Sequence, residues 1–119
     1  MDCASGDSYA IAMRLVEDPA AASWLDQLGG AAEDFEWDVG NRPKLEKHHV
    51  DQDDVMSMFR SPIVFAGRII EPAHNEPRWP VLGKSHGDRK LALILTRRGE
   101  RLRPVSCRPM RRNERKVYE

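Results

Sequence analysis

Three short apolar segments in the second half of the chain constrain its fold most strongly, because turn-forming residues separate them at close intervals. The connections at 83–89 and 97–100 each contain glycine and are shorter than the crossover that parallel strands require. The spacing therefore predicts an antiparallel meander. Its predicted strands are Trp79–Leu82, Leu91–Thr96 and Leu102–Cys107.

Helical patterns flank these strands. Apolar residues recur at helical spacing from Asn41 to Phe59, and the acidic cluster Asp51–Asp54 suits the cap of a second helix there. Residues 8–28 hold two short helix candidates divided at Asp18-Pro19, and Met110–Tyr118 is a candidate C-terminal helix. The buried helical positions are predicted to be Leu45, Val50, Val55, Met58 and Phe59.

Two further strands are predicted, Phe35–Asp38 and Ile63–Ile70, the latter followed by a polar loop at 71–77. The whole pattern indicates an α+β fold: an antiparallel sheet of about four strands, two helices before it and one C-terminal helix. We place a boundary near residue 34. Residues 1–34 are then an acidic, helical N-terminal extension, and residues 35–119 are the main domain.

The chain has no formal net charge, but its charges are strongly segregated. Residues 1–38 carry nine acidic groups and one basic group, whereas residues 87–119 carry eleven basic groups and four acidic ones. A basic end of this kind favours a phosphate-rich partner, although a solvated charged face gives the same pattern. The acidic segment either lies across the basic surface and competes with its phosphate-rich partner, or is a loosely attached extension without that role.

Several classes of protein are disfavoured. No apolar run is long enough for a membrane span, and the first residues lack the features of a secretory signal. Cys3 and Cys107 are far apart, without the spacing of a zinc site or a disulfide framework. We expect a cytoplasmic protein without membrane contact, metal or cofactor.

The arginines suit RNA chemistry, because a guanidinium group offers phosphate a planar fork of donors and stays charged. Cleavage without a metal also needs a proton acceptor, a donor for the leaving oxygen and cations for the developing charge. The candidate cations are Arg78, Arg103 and Arg108. The candidate proton carriers are His74, His48 and His49, with Glu76 or Glu114 as weaker bases. Trp79 would either stack on an RNA base or belong to the core.

These residues together resemble the BrnT family of type II toxins, whose members show a pattern close to FEWD, a helix ending in KHGV and an arginine-rich RIRIISAR strand. The resemblance covers residues 35–119. The corresponding pieces here are Phe35-Glu36-Trp37-Asp38, Lys47-His48-His49-Val50, Arg78-Trp79, Thr96-Arg97-Arg98-Gly99-Glu100-Arg101, Arg103 with Ser106 and Arg108, and Glu114-Arg115 before Tyr118.

The resemblance implies a RelE-like fold and an RNA-cleaving toxin that slows translation. A BrnA-like antitoxin would neutralise it, and promoter DNA would be bound only through that antitoxin complex. By position, the catalytic residues implied are Arg78, Arg103, Ser106, Arg108, His48 and Glu114. The predicted RNA-binding residues are Lys47, Trp79, Arg101, Arg111, Arg112 and Arg115.

Two departures from the family pattern bear on the fold. His49 stands where the family has glycine, so a turn that needs positive φ would be strained there. Pro104 stands where isoleucine is usual and removes a ladder donor, which predicts an edge strand or a bulge. A weakened enzyme, a non-catalytic module in a repressor complex and a metal-dependent hydrolase that uses His48, His49 and His74 are the alternatives.

Overall fold

The computed structural model describes residues 14–28, 31–65 and 67–119, which form an α+β fold and confirm the predicted class. Within these residues, no helix combines the length and apolar content needed to cross a bilayer. The strands are β1 (Arg14–Val16), β2 (Val64–Phe65), β3 (Arg68–Glu71), β4 (Trp79–Lys84), β5 (Lys90–Arg98) and β6 (Arg101–Pro109). The helices are α1 (Pro19–Asp26), a single 3-10 turn (Ala32–Asp34), α2 (Arg42–Glu46), α3 (Gln52–Met58) and α4 (Arg112–Tyr118).

The main sheet has four antiparallel strands in the order β2-β4-β5-β6, which confirms the meander predicted from the turn spacing. Trp79 pairs with Leu95 and Gly83 with Leu91 where β4 lies against β5. Gly99 has a φ of 62° in the turn between β5 and β6. A residue without Cβ adopts this left-handed conformation at no steric cost, so the tight hairpin forms readily.

The predicted strand Ile63–Ile70 is wrong, because this segment forms two short strands in different sheets. β2 pairs with β4 in the main sheet, whereas β3 pairs with β1 in a separate two-stranded sheet. Gly67 lies between them with a φ of 124°, and a Cβ atom there would come within 2.2 Å of the carbonyl oxygen of Val16. This close backbone approach redirects the chain.

The helix predicted after Asp18-Pro19 is confirmed as α1. The Asp18 carboxylate accepts a hydrogen bond of 3.2 Å from the backbone N–H of Ala21, and Pro19 is the first helical residue. The preceding helix candidate is wrong where the structure describes it, because residues 14–16 form β1. The rest of that candidate, residues 8–13, lies outside the described residues.

The predicted strand Phe35–Asp38 is also wrong. Only Phe35 forms a bridge, parallel to Leu102, and the Glu36 N–H donates to the Leu102 carbonyl at 2.8 Å. The Asp38 carbonyl then accepts from the N–H groups of Asn41 and Arg42, which begins a turn instead of extending the ladder. The segment therefore covers the edge of β6 without joining the sheet as a strand.

The core lies between one face of the sheet and helices α1 to α3. Leu91, Leu93 and Leu95 point to this face and are fully buried. The five helical positions predicted to be buried are all buried, and the Asp51 carboxylate caps α3 as expected. His49, after α2, has a φ of 58°, so the turn does require the left-handed conformation that favours glycine.

Pro104 fulfils both expectations for a proline in a strand. β6 is an edge strand of the main sheet, and its register against β5 shifts between Ile94 and Leu95, which leaves Val105 as an extra residue. The bulge reverses the alternation of side chains beyond it. Ser106 is therefore exposed on the same face as Arg103 and Cys107 is buried, whereas strict alternation along the strand would place Ser106 and Arg103 on opposite faces.

Candidate active site

A cleft of about 140 Å³ lies beside the ends of β4, β5 and β6, at the turn that precedes α2. Four cations and one carboxylate contribute to its lining, and we call it the arginine cleft. Two of the predicted catalytic arginines, Arg78 and Arg103, meet there. The residues that line the arginine cleft are Gly40, Asn41, Lys44, Glu76, Arg78, Thr96, Arg98, Arg103, Pro104 and Val105.

Arg103 is held by two carboxylates of the motif at residues 35–38. Its Nη1 donates to Glu36 Oε1 and to Asp38 Oδ2 at 2.8 Å each, and its Nη2 donates to Asp38 Oδ1 at 2.9 Å. Only 12% of its side chain is exposed. The hydrogen bonds that Arg103 donates to Asp38 outweigh the effect of burial, so the pKa of Arg103 is raised above its ordinary value.

The same contact stabilises the ionised form of Asp38. The Arg103 hydrogen bonds, followed by one from the Gly40 N–H at 2.7 Å, lower the pKa of Asp38 from 3.8 to about 2. Gly40 itself leaves room for the guanidinium group, because a Cβ atom at this position would lie 2.9 Å from Arg103 Nη2. The sequence motif thus supplies a fixed negative charge at the edge of the arginine cleft.

Arg98 and Glu76 form a second ion pair in the arginine cleft. Nε and Nη2 of Arg98 donate to the two Glu76 oxygens at 2.9 and 3.2 Å, and Arg98 Nη1 lies 3.5 Å from Glu36 Oε1. The hydrogen bond from Arg98 lowers the pKa of Glu76 and raises that of Arg98. Sequence reasoning did not select Lys44 or Arg98 as site residues, because neither stands out among nineteen basic residues.

Arg78 reaches the arginine cleft from the loop before β4. The Thr96 hydroxyl donates to the Pro77 carbonyl at 2.6 Å, and the Ile69 N–H donates to the Arg78 carbonyl at 2.8 Å, so the backbone is fixed on both sides. The Nε atom of Arg78 is buried and has no hydrogen-bond partner among the described residues. Buried donors of this kind normally find a partner, which makes Arg78 a natural contact for an anion.

The other predicted catalytic residues of β6 and α4 lie outside the arginine cleft. Arg108 follows Arg103 by five residues on the same face of the sheet, or roughly 13 to 16 Å at about 3.3 Å per residue. It makes a bidentate ion pair with Glu114, and Ser106 lies exposed between the two arginines. Arg103 and Arg108 therefore share a surface without sharing the cleft.

The histidines and Lys47 are exposed, and none of them lines the arginine cleft. The backbone carbonyls of His48 and His49 accept hydrogen bonds from Arg89 at 3.0 and 2.6 Å. His74 lies beside a different cavity of about 280 Å³. The structure thus places none of the predicted histidine proton carriers in the arginine cleft, whereas Glu76, one of the weaker predicted bases, lines it.

Trp79 lies on the core side of the sheet and is 6% exposed. Its indole Nε1 donates to Asp18 at 2.8 Å, and its ring meets Trp24 edge-on with centroids 5.2 Å apart. This is the core arrangement that the sequence left open. The other predicted RNA-binding residues lie toward the surface: Arg101, Arg112 and Arg115 are exposed and Arg111 is half-buried.

Comparison with known proteins agrees with the resemblance found in the sequence. The family model described as the ribonuclease toxin BrnT of type II toxin-antitoxin systems matches residues 37–114, about two thirds of the chain. No curated protein sequence matches the chain. The match includes Asp38, Arg78, Arg98 and Arg103 of the arginine cleft and its surroundings. The chain therefore belongs to the BrnT family of ribonuclease toxins of type II toxin-antitoxin systems.

Proposed function

We propose that this toxin cleaves RNA without a metal ion by holding a phosphodiester group in the arginine cleft. The observation that carries the proposal is the meeting of Arg78, Arg98 and Arg103 with Lys44 around one cavity. Guanidinium groups match phosphate geometry, and fixed cations stabilise the negative charge that develops on the phosphate in the transition state.

The proposed reaction uses only atoms of the RNA and a proton transfer. The 2′-oxygen loses its proton and attacks the adjacent phosphorus, the bond to the 5′-oxygen breaks, and the 5′-oxygen takes up a proton. The products are a 2′,3′-cyclic phosphate and a 5′-hydroxyl group. Glu76 is the carboxylate of the cleft, but its lowered pKa makes it a weak base. Orientation and charge stabilisation are therefore proposed to carry most of the rate.

The surface along β6 extends the proposed RNA site. Ser106 is exposed and Arg108 is half-buried on the face that carries Arg103, which supports the proposal that they contact a neighbouring phosphate, with Glu114 orienting Arg108. The remaining proposed contacts are basic residues near both ends of β6, with Lys47 and His48 beyond the end of α2. Arg101 lies at the start of β6, and Arg111, Arg112 and Arg115 follow its end.

The biological role proposed follows from the family. RNA cleavage would slow translation in the cytoplasm, and a BrnA-like antitoxin would neutralise the toxin and link it to promoter DNA. The pairing of Arg98, Arg103 and Arg108 with carboxylates of the same chain favours a second candidate. In that case the protein would be a non-catalytic module that acts with its antitoxin in a repressor complex.

The test is incubation of purified, partner-free protein with single-stranded RNA in excess chelator, followed by mapping of the new ends. Cleavage with 2′,3′-cyclic phosphate ends that is lost in Arg103→Ala supports the proposal. Arg14→Ala is the matched control, because Arg14 is an exposed, ion-paired arginine outside the arginine cleft. RNA binding without cleavage would favour the non-catalytic module, and cleavage only with added metal would contradict the mechanism.

A further inference from the structure

Glu36 and Asp38 hold one edge of Arg103 and leave its other edge free. We infer that these two carboxylates are positioning residues, which fix the Arg103 guanidinium group so that its free edge grips the scissile phosphate. This inference rests on the proposed function. It gives a role to the acidic positions of the motif at residues 35–38, which the reaction itself does not use.

The hydrogen bonds of Arg103 identify the free edge. A guanidinium group carries five N–H donors. Two on Nη1 and one on Nη2 donate to the carboxylates. The Nε–H and the second N–H of Nη2 donate to no residue that the structure describes. These two donors form the planar fork that matches two phosphate oxygens, and Arg103 lines the arginine cleft.

Asn41 ties the two carboxylates to the strand that carries Arg103. It is 2% exposed, its Nδ2 donates to the carbonyls of Glu36 and Pro104 at 2.9 and 3.1 Å, and its Oδ1 accepts from the Asp38 N–H at 2.8 Å. Pro104 has no N–H to leave unpaired at this edge. A single buried amide thus links the acidic segment to β6.

The carboxylates also change the charge of the site before RNA arrives. Arg98 and Arg78 lie in the same cleft as Arg103, and like charges this close repel one another. Glu36 and Asp38 offset that repulsion, so the largely buried guanidinium group of Arg103 keeps one orientation. The same negative charges oppose the approach of a phosphate. Losing a carboxylate should therefore impair orientation while leaving RNA affinity unchanged or tighter.

Because the carboxylates orient Arg103 but oppose the approach of phosphate, a positioning role predicts a kinetic effect on RNA cleavage that a merely structural role does not. We expect Asp38→Asn and Glu36→Gln to lower kcat about 10-fold or more each, with KM unchanged or lower, because misplacement of about 1 Å can cost roughly 100-fold in rate. Gly40→Ala should do the same by pushing Arg103 aside without altering any charge. Asp53→Asn, at an exposed carboxylate of α3, is the matched control.

The experiment measures kcat and KM for one defined single-stranded RNA in chelator, on full-length variants whose folding is checked by circular dichroism. Arg103→Ala is run in parallel. If Arg103→Ala is inactive while the Glu36→Gln, Asp38→Asn double variant keeps the original kcat, the positioning role is wrong and the proposed function stands. A raised KM at constant kcat also overturns it. If Arg103→Ala cleaves normally, the proposed function itself fails.

Should Asp38→Asn not fold, Gly40→Ala and Glu36→Gln still decide the question, because they perturb the same guanidinium group from independent positions. Asp38→Glu provides a rescue test: it keeps the charge, so it should recover more of the kcat than Asp38→Asn does. Equal activity of these two variants would contradict the role of the carboxylate charge.

Discussion

The guanidinium group of Arg108 and the carboxylate of Glu114 meet through two parallel hydrogen bonds of 2.7 and 2.8 Å, which join β6 to α4. The same carboxylate accepts the Arg111 N–H at 2.8 Å, at the first turn of the helix. Burial raises the pKa of Glu114, but these hydrogen bonds outweigh it and the net pKa is lowered. The pair therefore attaches to the sheet a helix that has no fully buried residue of its own, together with the Tyr118 hydroxyl, which donates to the Pro62 carbonyl at 3.3 Å.

Replacing Glu114 by glutamine should destabilise the protein by about 1–2 kcal/mol in urea unfolding, because it leaves a half-buried guanidinium group with a weaker partner. Since the folded pKa of Glu114 is lowered, its contribution should be complete above about pH 4.5 and disappear as the pH falls through the folded value. Glu119→Gln is the control, because its ion pair with Lys90 is more exposed. Equal effects of the two substitutions would contradict this account.

Local sequence signals predicted most of the elements correctly. Turn glycines and strand lengths predicted β4, β5 and β6, and the acidic residues before Val55 predicted the cap of α3. The errors fall where a distant partner decides the conformation. Residues 14–16 become a strand only because β3 lies beside them, and the motif at 35–38 is held by β6 instead of pairing along it.

The candidate site was likewise predicted only in part from the sequence. The chemistry of arginine and phosphate led us to select Arg78 and Arg103, which line the same cleft. The sequence gave no indication of which carboxylates would hold Arg103. That pairing depends on a parallel bridge between residues that lie 67 positions apart, Phe35 and Leu102. The bulge at Val105, which sets the face of Ser106, also depends on register with β5.

His49→Gly should stabilise the protein by about 0.5–1 kcal/mol, because glycine adopts a φ of 58° without the steric cost that a Cβ atom brings. The side chain is exposed, so its removal costs little packing, and the backbone carbonyl still accepts the Arg89 hydrogen bond. Thermal unfolding measures the change. Asp88→Gly, at a φ of 63°, should gain less, because aspartate tolerates this conformation better. A lower melting temperature for His49→Gly would contradict the prediction.

Cys107 should be chemically inert in the folded protein. Its side chain has no exposed surface, and burial raises the pKa of the thiol to about 12, so almost no thiolate exists at pH 8. In a Cys3→Ser background, an aromatic disulfide reagent should react with Cys107 only after denaturation. Ser106→Cys in a chain lacking both native cysteines is the exposed control and should react at once. Rapid labelling of native Cys107 would show that β6 opens readily.

The substitution Leu25→Ala tests whether α1, which precedes the residues matched by the family model, is an integral part of the fold. Leu25 and Ala21 of α1 are 2% and 1% exposed in the same core as Trp79, and Trp24 stacks beneath Arg97 with 4.7 Å from the guanidinium carbon to the ring centroid. Leu25→Ala should therefore lower the unfolding free energy by about 2–5 kcal/mol, the range for a buried leucine. Ser23→Ala, on the exposed side of α1, should change it by less than about 0.5 kcal/mol.

A chain that starts at residue 34 extends this test to function. It should lose stability on the scale of Leu25→Ala or more, because Trp79 would lose both Asp18 and Trp24. Its affinity for RNA, measured at low and high salt under conditions where it stays folded, should match that of the full chain, because α1 packs on the core face, opposite the face of Arg103. Tighter binding of the shortened chain at low salt alone would instead mean that the acidic segment masks the basic surface.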